Sequence, residues 1–175
     1  MRVLILGGNS PHHHDWIRSL SQFLADRGHD PVLQDYRHWQ TGDADADLDH
    51  EIAVAGRLMR DKGPDDSTAI VAKSVGCMIA ALGTARNVLV PERCLLLGMP
   101  LDGIAGQTPD LPAAMRTLPA TTLVQHEHDP YGSAATVRAW LATVDAPRVR
   151  LVVTPGDTHA YTDLHRIERE LVAVR

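Results

Sequence analysis

Residues 68–81 constrain the fold of this chain more than any other stretch. Their sequence is TAIVAKSVGCMIAA, an apolar run followed by a lysine, a serine and then small and apolar residues. A short, nearly continuous apolar run is typical of a strand that helices cover on both faces. The longer apolar stretch behind it is typical of a buried helix. The pattern predicts a strand over 69–72, a tight turn that holds Ser74, and a helix over 76–84.

Strands and helices alternate along the rest of the chain. Further apolar runs have the length of strands, and the stretches between several of them show helical periodicity. The strands are predicted at residues 2–6, 31–33, 94–97, 121–125 and 149–153. The helices are predicted at residues 15–28, 48–62, 133–144 and 163–174. Such alternation predicts an α/β fold, a three-layer α/β/α sandwich around a mostly parallel sheet of about six strands.

Caps and polar stretches set the predicted boundaries of these elements. Asp15 is expected to cap the first helix, and Gly28 is expected to close it. An aspartate-rich polar stretch before residue 48 is predicted as a loop, and residues 63–66 are expected to stop the second helix. Residues 98–119 are rich in proline and glycine and are too few for a lid domain.

The composition indicates a globular protein and disfavours two classes of partner. The chain has 175 residues, of which 44% are hydrophobic, and this predicts a single domain over 1–175. The net charge is -5 without a run of lysine or arginine, which disfavours a nucleic-acid partner. No apolar stretch approaches the roughly 20 residues that cross a bilayer, so a membrane is not an expected partner.

The cysteines and the first residues indicate the cellular compartment of the protein. Cys77 and Cys94 lie in apolar runs without metal-ligand spacing, which is typical of buried free thiols. The first residues lack the longer apolar region and the cleavage site of a signal peptide. We therefore expect a cytoplasmic protein.

Groups that can support nucleophilic catalysis follow three of the predicted strands. Ser74 follows the third strand, residues 125–132 (QHEHDPYG) follow the fifth, and residues 155–161 (PGDTHAY) follow the sixth. In an open parallel sheet the functional groups gather at the carboxyl ends of the strands. A serine hydroxyl becomes an effective nucleophile when an imidazole removes its proton and a carboxylate orients that imidazole. The chain offers these groups in the order serine, carboxylate, histidine.

The motifs around these groups resemble those of small α/β hydrolases, especially the dienelactone hydrolase-like branch. Residues 72–76, AKSVG, resemble the G-x-S-x-G nucleophile elbow, with alanine in place of the first glycine. Residues 128–132 are similar to the acid loop of this branch, residues 155–161 to its histidine loop, and residues 98–101 to a stretch after an earlier strand. The resemblance covers nearly the whole chain and implies a minimal α/β-hydrolase fold without a lid domain.

The resemblance implies a catalytic triad in this sequence. Ser74 would be the nucleophile, His159 the general base and acid, and Asp129 the carboxylate that orients the imidazole. Two of these roles have alternatives. Ser74 is also a favourable residue for a helix N-cap. Three other carboxylates compete with Asp129, namely Glu127, Asp157 and Asp163.

The resemblance also implies an oxyanion hole, the pair of N–H donors that stabilises a tetrahedral intermediate. The N–H of Val75 would supply one donor, and the backbone of Gly8 or Asn9 would supply the other. The family often has His-Gly at the end of that strand, whereas this chain has Leu-Gly at positions 6–7. Lys73, beside the serine, is expected to point away from the chemistry.

The chain has ten histidines, and most of them are not expected to be catalytic. Positions 12–14 are consecutive histidines, which together with His126, His128 and Asp129 suggest a metal site. Adjacent histidines do not readily share one metal ion, so we expect positions 12–14 to be loop residues at the rim of a cleft. Solvated side chains are expected at the remaining helix and loop positions, His29, His38, His50 and His165.

Together these features predict a serine hydrolase that cleaves a carboxylic ester or thioester of a small or acyl-bearing substrate, without a cofactor or a metal ion. Residues 7–10 are glycine-rich but lack the third glycine of a dinucleotide motif. Two alternatives stay open. One is a catalytically silent binding protein of the α/β-hydrolase type, and the other is a metal-binding module built on the histidine-rich loops.

Overall fold

The computed structural model describes residues 1–60, 67–103 and 108–174. Within this part of the chain, the strands are β1 (Arg2–Leu6), β2 (Asp30–Gln34), β3 (Thr68–Lys73), β4 (Arg93–Leu97), β5 (Ala120–His126) and β6 (Val149–Thr154). They form one sheet in the order β2-β1-β3-β4-β5-β6, and every neighbouring pair is parallel. The prediction of an α/β fold with about six mostly parallel strands is confirmed.

Helices cover both faces of this sheet. They are α1 (His13–Ala25), α2 (Arg37–Thr41), α3 (Leu48–Arg60), α4 (Val75–Ala85), α5 (Leu111–Thr117), α6 (Ala134–Val144) and α7 (Leu164–Ala173). Successive strand residues point to opposite faces. Val3 and Ile5 therefore pack with α1 and α7, whereas Leu4 and Leu6 belong to a larger apolar cluster with α3, α4, α5 and α6. This arrangement is the predicted three-layer sandwich.

Two neighbouring strands send the chain to opposite faces of the sheet. β1 leads into α1 on one face, and β3 leads into α4 on the other. The carboxyl ends of β1 and β3 therefore border a crevice, the topological switch point at which open α/β sheets bind their ligands. The loop after β1 and the turn that holds Ser74 both lie at this crevice.

The start of α1 differs from the prediction. The N–H groups of His13 and His14 donate to the carbonyls of Ser10 and Pro11, both at 3.0 Å, so helical turns form ahead of Asp15. Asp15 therefore lies in the first turn and does not cap the helix. An acidic residue in the first turn still interacts favourably with the helix dipole.

Gly28 closes α1 as predicted. Its φ of 79° is left-handed. The Gly28 N–H donates to the Ala25 carbonyl at 2.9 Å, and the His29 N–H donates to the Leu24 carbonyl at 3.1 Å. These two bonds are the pattern of a Schellman motif, in which glycine is favoured because it has no Cβ.

Two short helices, α2 and α5, lie in segments for which no helix is predicted. α2 has five residues, too few for a periodic pattern, and its first N–H donates to Glu51 Oε1 of α3 at 2.8 Å. α5 contains Pro112 in its first turn, where proline is tolerated because no intrahelical bond is lost. Leu111, Ala114 and Met115 of α5 are buried in the core.

The described residues also bear on three smaller predictions. The expected helix end at 61–62 and its stop at 63–66 lie outside them. None of their helices is both long and apolar enough to cross a membrane. Cys77 and Cys94 are buried free thiols, and burial raises the pKa of each to about 12.

Candidate active site

Ser74 occupies a sharp turn between β3 and α4. Its φ of 56° and ψ of -121° lie in a region that residues with a side chain rarely adopt. Such backbone strain persists where surrounding contacts enforce it, and it concentrates at functional sites. The Ser74 N–H donates to the Leu97 carbonyl of β4 at 3.0 Å, and the side chain makes no capping hydrogen bond. The geometry is that of the predicted strand–turn–helix elbow, and it does not support a capping role for the hydroxyl.

Gly76 brings the start of α4 close to β1. A Cβ at this position would lie 2.8 Å from the carbonyl oxygens of both Leu6 and Gly7. The Gly76 N–H uses this close approach to donate to the Gly7 carbonyl at 3.1 Å. A larger residue would push the elbow away from the loop after β1, so the glycine of the motif has a packing reason.

His159 and Asp129 form a hydrogen-bonded pair in the loops after β6 and β5. The His159 Nδ1 lies 2.8 Å from Oδ2 and 3.0 Å from Oδ1 of Asp129, whose side chain is fully buried. The Tyr131 N–H donates to Oδ1 at 2.9 Å and holds the carboxylate from a second side. Of the four competing carboxylates, all of them described, Asp129 is the one bonded to His159. Asp163 instead caps α7 by accepting from the Arg166 N–H at 2.9 Å.

Opposing effects act on the pKa of Asp129. Burial raises it, whereas hydrogen bonds from His159, the Tyr131 N–H and the Tyr161 hydroxyl lower it. The hydrogen bonds prevail, and the pKa of the carboxyl lies below its ordinary value. Asp129 is therefore ionised at neutral pH, the state in which a carboxylate orients an imidazole and stabilises its protonated form.

Tyr161 contacts this pair in a way that the sequence did not reveal. Its hydroxyl donates to Asp129 Oδ2 at 2.8 Å and accepts from the His126 N–H at 2.9 Å. Burial raises the pKa of this phenol above its ordinary value, so it stays a neutral donor. Its backbone has a φ of 47°, unusual for a bulky residue, and Trp16 Nε1 donates to its carbonyl at 2.9 Å. An aromatic residue after the histidine was visible in the motif, but its contact with a residue 32 positions earlier was not.

Ser74 and His159 line the same cleft, which has a volume of about 660 Å³. Segments that follow each of the six strands contribute to its walls. The His159 Nε2 is buried without a hydrogen-bond partner among the described residues, and no hydrogen bond joins it to Ser74 Oγ. Bonds of this kind often form or tighten only when a substrate is bound. The structure thus joins Asp129 to His159 directly and places Ser74 on the same cleft without a direct bond.

The candidate oxyanion donors lie on both sides of the crevice. The Val75 N–H begins α4 and has no acceptor within the helix. The Gly7 carbonyl accepts from the Gly76 N–H and, at 2.9 Å, from the Tyr36 hydroxyl. Because the C=O and N–H of a trans peptide point in opposite directions, the Gly8 N–H points away from the start of α4. Asn9, by contrast, lies on the wall of the cleft.

Asn9 is fixed by α2, the short helix that the sequence did not show. Its carbonyl accepts from Trp39 Nε1 at 3.0 Å and is also in hydrogen-bond contact with His38 Nε2. Its side-chain amide donates to the Ala44 carbonyl at 3.1 Å. His38 is 5% exposed, so the prediction of a solvated side chain is wrong. The reason is that α2 turns this imidazole inward onto the loop after β1.

The histidines at positions 12–14 have three different environments. His12 is exposed, His13 lines the cleft, and His14 Nε2 lies 3.0 Å from Asp35 Oδ1. The prediction that all three are loop residues is wrong, because His13 and His14 begin α1. His126 lies apart from them, with its Nδ1 2.6 Å from the Thr158 carbonyl. The described residues contain no group of three or more histidine, cysteine or acidic side chains that could hold a metal ion.

Lys73 is buried and contacts a histidine of the cleft wall, a contact that was not predicted. Its side chain is 1% exposed, and its Nζ lies 2.8 Å from Nε2 of His13, which lines the cleft. Burial lowers the pKa of Lys73 to about 8. Burial and then the Lys73 charge lower the pKa of His13 to about 4. A lysine in an apolar strand directly before the elbow serine is the sequence signal that indicates this cluster.

Solved structures with this arrangement of strands and helices were found among esterases. An esterase from Pyrococcus furiosus is 19% identical with a TM-score of 0.70, over 99% of this chain and 80% of its own. A cold-adapted esterase from an Arctic intertidal metagenomic library is 18% identical with a TM-score of 0.68, over 97% and 82%. The thioesterase domain from the curacin biosynthetic pathway is 12% identical with a TM-score of 0.73, over 98% and 90%.

The chain has the α/β-hydrolase fold. No protein-family model matches it, and no curated protein matches its sequence. At these low identities the likeness to solved structures shows the α/β-hydrolase fold alone, so the dienelactone hydrolase-like branch stays a prediction. In this fold the turn at Ser74 has the position of the nucleophile elbow.

Proposed function

We propose that this protein is a serine hydrolase that cleaves carboxylic esters or thioesters through an acyl-enzyme at Ser74. The observation that supports this most strongly is the geometry of one cleft. It contains a serine in a strained elbow and a histidine whose Nδ1 is bonded to a buried carboxylate. The solved structures of the same fold that are named esterases and a thioesterase favour ester or thioester substrates.

In the first half of the reaction, Nε2 of His159 takes the proton of the Ser74 hydroxyl as Oγ attacks the carbonyl carbon of the substrate. The negative oxygen that forms accepts hydrogen bonds from the Val75 N–H and from a second N–H in the loop after β1. When the tetrahedral intermediate collapses, the protonated His159 gives its proton to the departing alcohol or thiol. The acyl group is then bound to Ser74 as an ester.

In the second half, water attacks this acyl-enzyme. His159 takes a proton from the water and returns it to Ser74 Oγ, which releases a carboxylic acid and restores the enzyme. Asp129 stabilises the imidazolium in both halves, and its low pKa keeps it ionised. None of these steps requires a metal ion or a cofactor.

The loop after β1 supplies the second oxyanion donor in this proposal, and Asn9 is favoured over Gly8. The Gly8 N–H points away from the start of α4, because the Gly7 carbonyl is bound there by Gly76. Asn9 lies on the cleft wall, and two contacts on its carbonyl and three hydrogen bonds on its side-chain amide hold it in place.

Turnover of short-chain p-nitrophenyl esters tests the proposed activity. Wild-type protein should hydrolyse them well above the buffer rate, and Ser74→Ala should abolish this. Ser10→Ala is the matched control, because Ser10 is a second serine on the same cleft and should keep most of the turnover. The proposal would be contradicted if folded wild-type protein hydrolysed esters of several acyl lengths, and thioesters, no faster than buffer does.

A catalytically silent protein of the same fold is the second candidate. The absence of a Ser74–His159 hydrogen bond, both residues being described, favours it. It predicts that esters bind in the cleft without being cleaved. The silent protein would bind a non-hydrolysable ester analogue, and its turnover of esters would be no faster than that of Ser74→Ala. These two results together would distinguish it from the enzyme.

A further inference from the structure

Lys73 is a buried cation beside the elbow serine, and the triad chemistry does not use it. Its side chain is 1% exposed, and His13 Nε2 lies 2.8 Å from its Nζ. Among the described residues, no carboxylate forms an ion pair with Lys73. The ring of Trp16 lies 5.9 Å from Nζ. A buried charge without an opposite charge lowers the stability of a fold, so an apolar residue of similar length would be cheaper here.

We propose that Lys73 and His13 are positioning residues that fix the Gly8–Asn9 backbone in the conformation that completes the oxyanion hole. The inference rests on the proposed function, since it says which residues hold the proposed oxyanion loop in place. It gives a role to two residues that neither the triad nor the conserved letters of the elbow motif specify.

The chemistry of the contact fixes the protonation of His13. An ammonium group has donors and no acceptor, so His13 Nε2 must accept the hydrogen bond from Lys73. His13 is therefore neutral, and its proton is on Nδ1. Burial and the Lys73 charge both lower the pKa of His13, to about 4, which keeps it neutral over the working pH range.

The other edge of the His13 ring is in direct contact with Gly8. A Cβ built on Gly8 would lie 2.1 Å from Cε1 and 2.3 Å from Nδ1 of His13. The imidazole thus occupies the space that a side chain at position 8 would need, and glycine at this position lets the ring lie against the loop. Nδ1 is buried and has no hydrogen-bond partner of ordinary geometry among the described residues. Nδ1 lies on the edge of the ring that is beside Gly8.

The loop is held from both sides as a result. On the α4 side, Gly76 and Tyr36 bind the Gly7 carbonyl. On the α1 side, His13 presses on Gly8, and Lys73 holds His13 in place. Lys73 directly precedes Ser74. The same turn of the chain therefore positions the Ser74 nucleophile and, through His13, the backbone of the oxyanion loop. A misplacement of such donors by about 1 Å can lower a rate by about 100-fold.

Lys73→Met tests this assignment, because methionine keeps the length of the side chain and removes the charge. We expect kcat for p-nitrophenyl ester hydrolysis to fall about 10- to 100-fold while KM changes by less than about twofold. We also expect an equal or higher Tm, since a buried charge is removed. A purely structural lysine would give the opposite result, a lower Tm with kcat retained.

His13→Phe is the second variant and decides the matter if Lys73→Met does not fold. Phenylalanine keeps a ring against Gly8 and removes both nitrogen atoms, so kcat should again fall about tenfold or more. His12→Ala, an exposed neighbour, is the matched control and should retain wild-type kcat. A wild-type kcat in both Lys73→Met and His13→Phe would overturn the proposal.

Labelling with a fluorophosphonate separates this inference from the proposed function. If wild-type protein reacts at Ser74 and Lys73→Met reacts more slowly, both stand. Equal labelling rates in the two proteins would overturn the positioning role and leave the hydrolase intact. Absence of labelling in folded wild-type protein would overturn the hydrolase itself.

Discussion

The Tyr161 hydroxyl donates a 2.8 Å hydrogen bond to Oδ2 of Asp129, the carboxylate oxygen that also lies 2.8 Å from Nδ1 of His159. One oxygen therefore binds both the imidazole and a phenol. Since Tyr161 and His159 belong to the same loop, the histidine loop fixes the orientation of the carboxylate that in turn orients its own histidine. In the proposed mechanism, the loop after β6 therefore orients the carboxylate as well as supplying the base.

Tyr161→Phe should lower kcat by about 3- to 10-fold with little change in KM. The variant removes one hydrogen bond to a charged group, which contributes about 1.5–3 kcal/mol, and part of that loss falls on the orientation of Asp129. Tyr131→Phe is the matched control, because the Tyr131 side chain is on the exposed rim and its N–H, not its hydroxyl, contacts Asp129. Equal kcat values for the two variants would contradict the role of the Tyr161 hydroxyl.

Asp129→Asn should fold and lose about 10³- to 10⁴-fold in kcat, because the amide stabilises the wrong imidazole tautomer and cannot balance the imidazolium charge. Steady-state kinetics together with circular dichroism would measure the two properties. Asp157→Asn changes a carboxylate in the same loop as His159 and should retain most activity. The reverse outcome for the two variants would assign the acid to Asp157.

Gly98→Ala should lower both activity and stability. Gly98 has a φ of 64°, and an added Cβ would lie 2.5 Å from Cε2 of Tyr161 and 2.8 Å from Cε1 of His159. We expect a loss of about 1–3 kcal/mol in the free energy of unfolding, measured in urea, and a lower kcat. In Gly103→Ala the added Cβ meets no heavy atom within 4 Å, so this variant should resemble wild type. A wild-type kcat for Gly98→Ala would contradict the tight packing around His159.

The buried Lys73 should make stability depend on alkaline pH. Its pKa in the folded protein is about 8, below the ordinary value of about 10.4, so the unfolded chain binds more protons between these values. Stability therefore rises with pH across this window and is lowest below pH 8. Lys73→Met should remove the effect, and its gain over wild type should be about 2–3 kcal/mol larger at pH 7 than at pH 10. Urea unfolding at both pH values measures this, and a pH-independent difference would contradict the burial of a charged amine.

The sequence was sufficient to predict the sheet and the placement of Ser74, Asp129 and His159 after their strands, because those features depend on local patterns. Apolar runs such as 2–6 and 69–72 form strands in a sheet that is buried on both faces. Ser74, Asp129 and His159 each follow a strand, and topology places the ends of parallel strands at one edge of the sheet. Local order along the chain therefore indicates which groups share the cleft.

Other features depend on contacts between distant segments, which no local pattern contains. α2 is held by Glu51 of α3, and it turns His38 inward onto Asn9. α5 begins with a proline that locally resembles a loop. The side chain of Lys73 turns toward His13, 60 residues earlier, although a lysine in a sequence is ordinarily expected in solvent. These are the positions at which tertiary contacts outweigh residue type.

The nucleophilic role of Ser74 is the claim on which the mechanism depends, and covalent trapping tests it most directly. Folded protein is incubated with a fluorophosphonate, digested, and analysed by mass spectrometry to locate the adduct. A single phosphonyl group on the peptide that contains Ser74, absent from Ser74→Ala and strongly reduced in His159→Ala, is the predicted result. An unmodified Ser74 in folded wild-type protein, or an adduct on another residue that persists in Ser74→Ala, would contradict it.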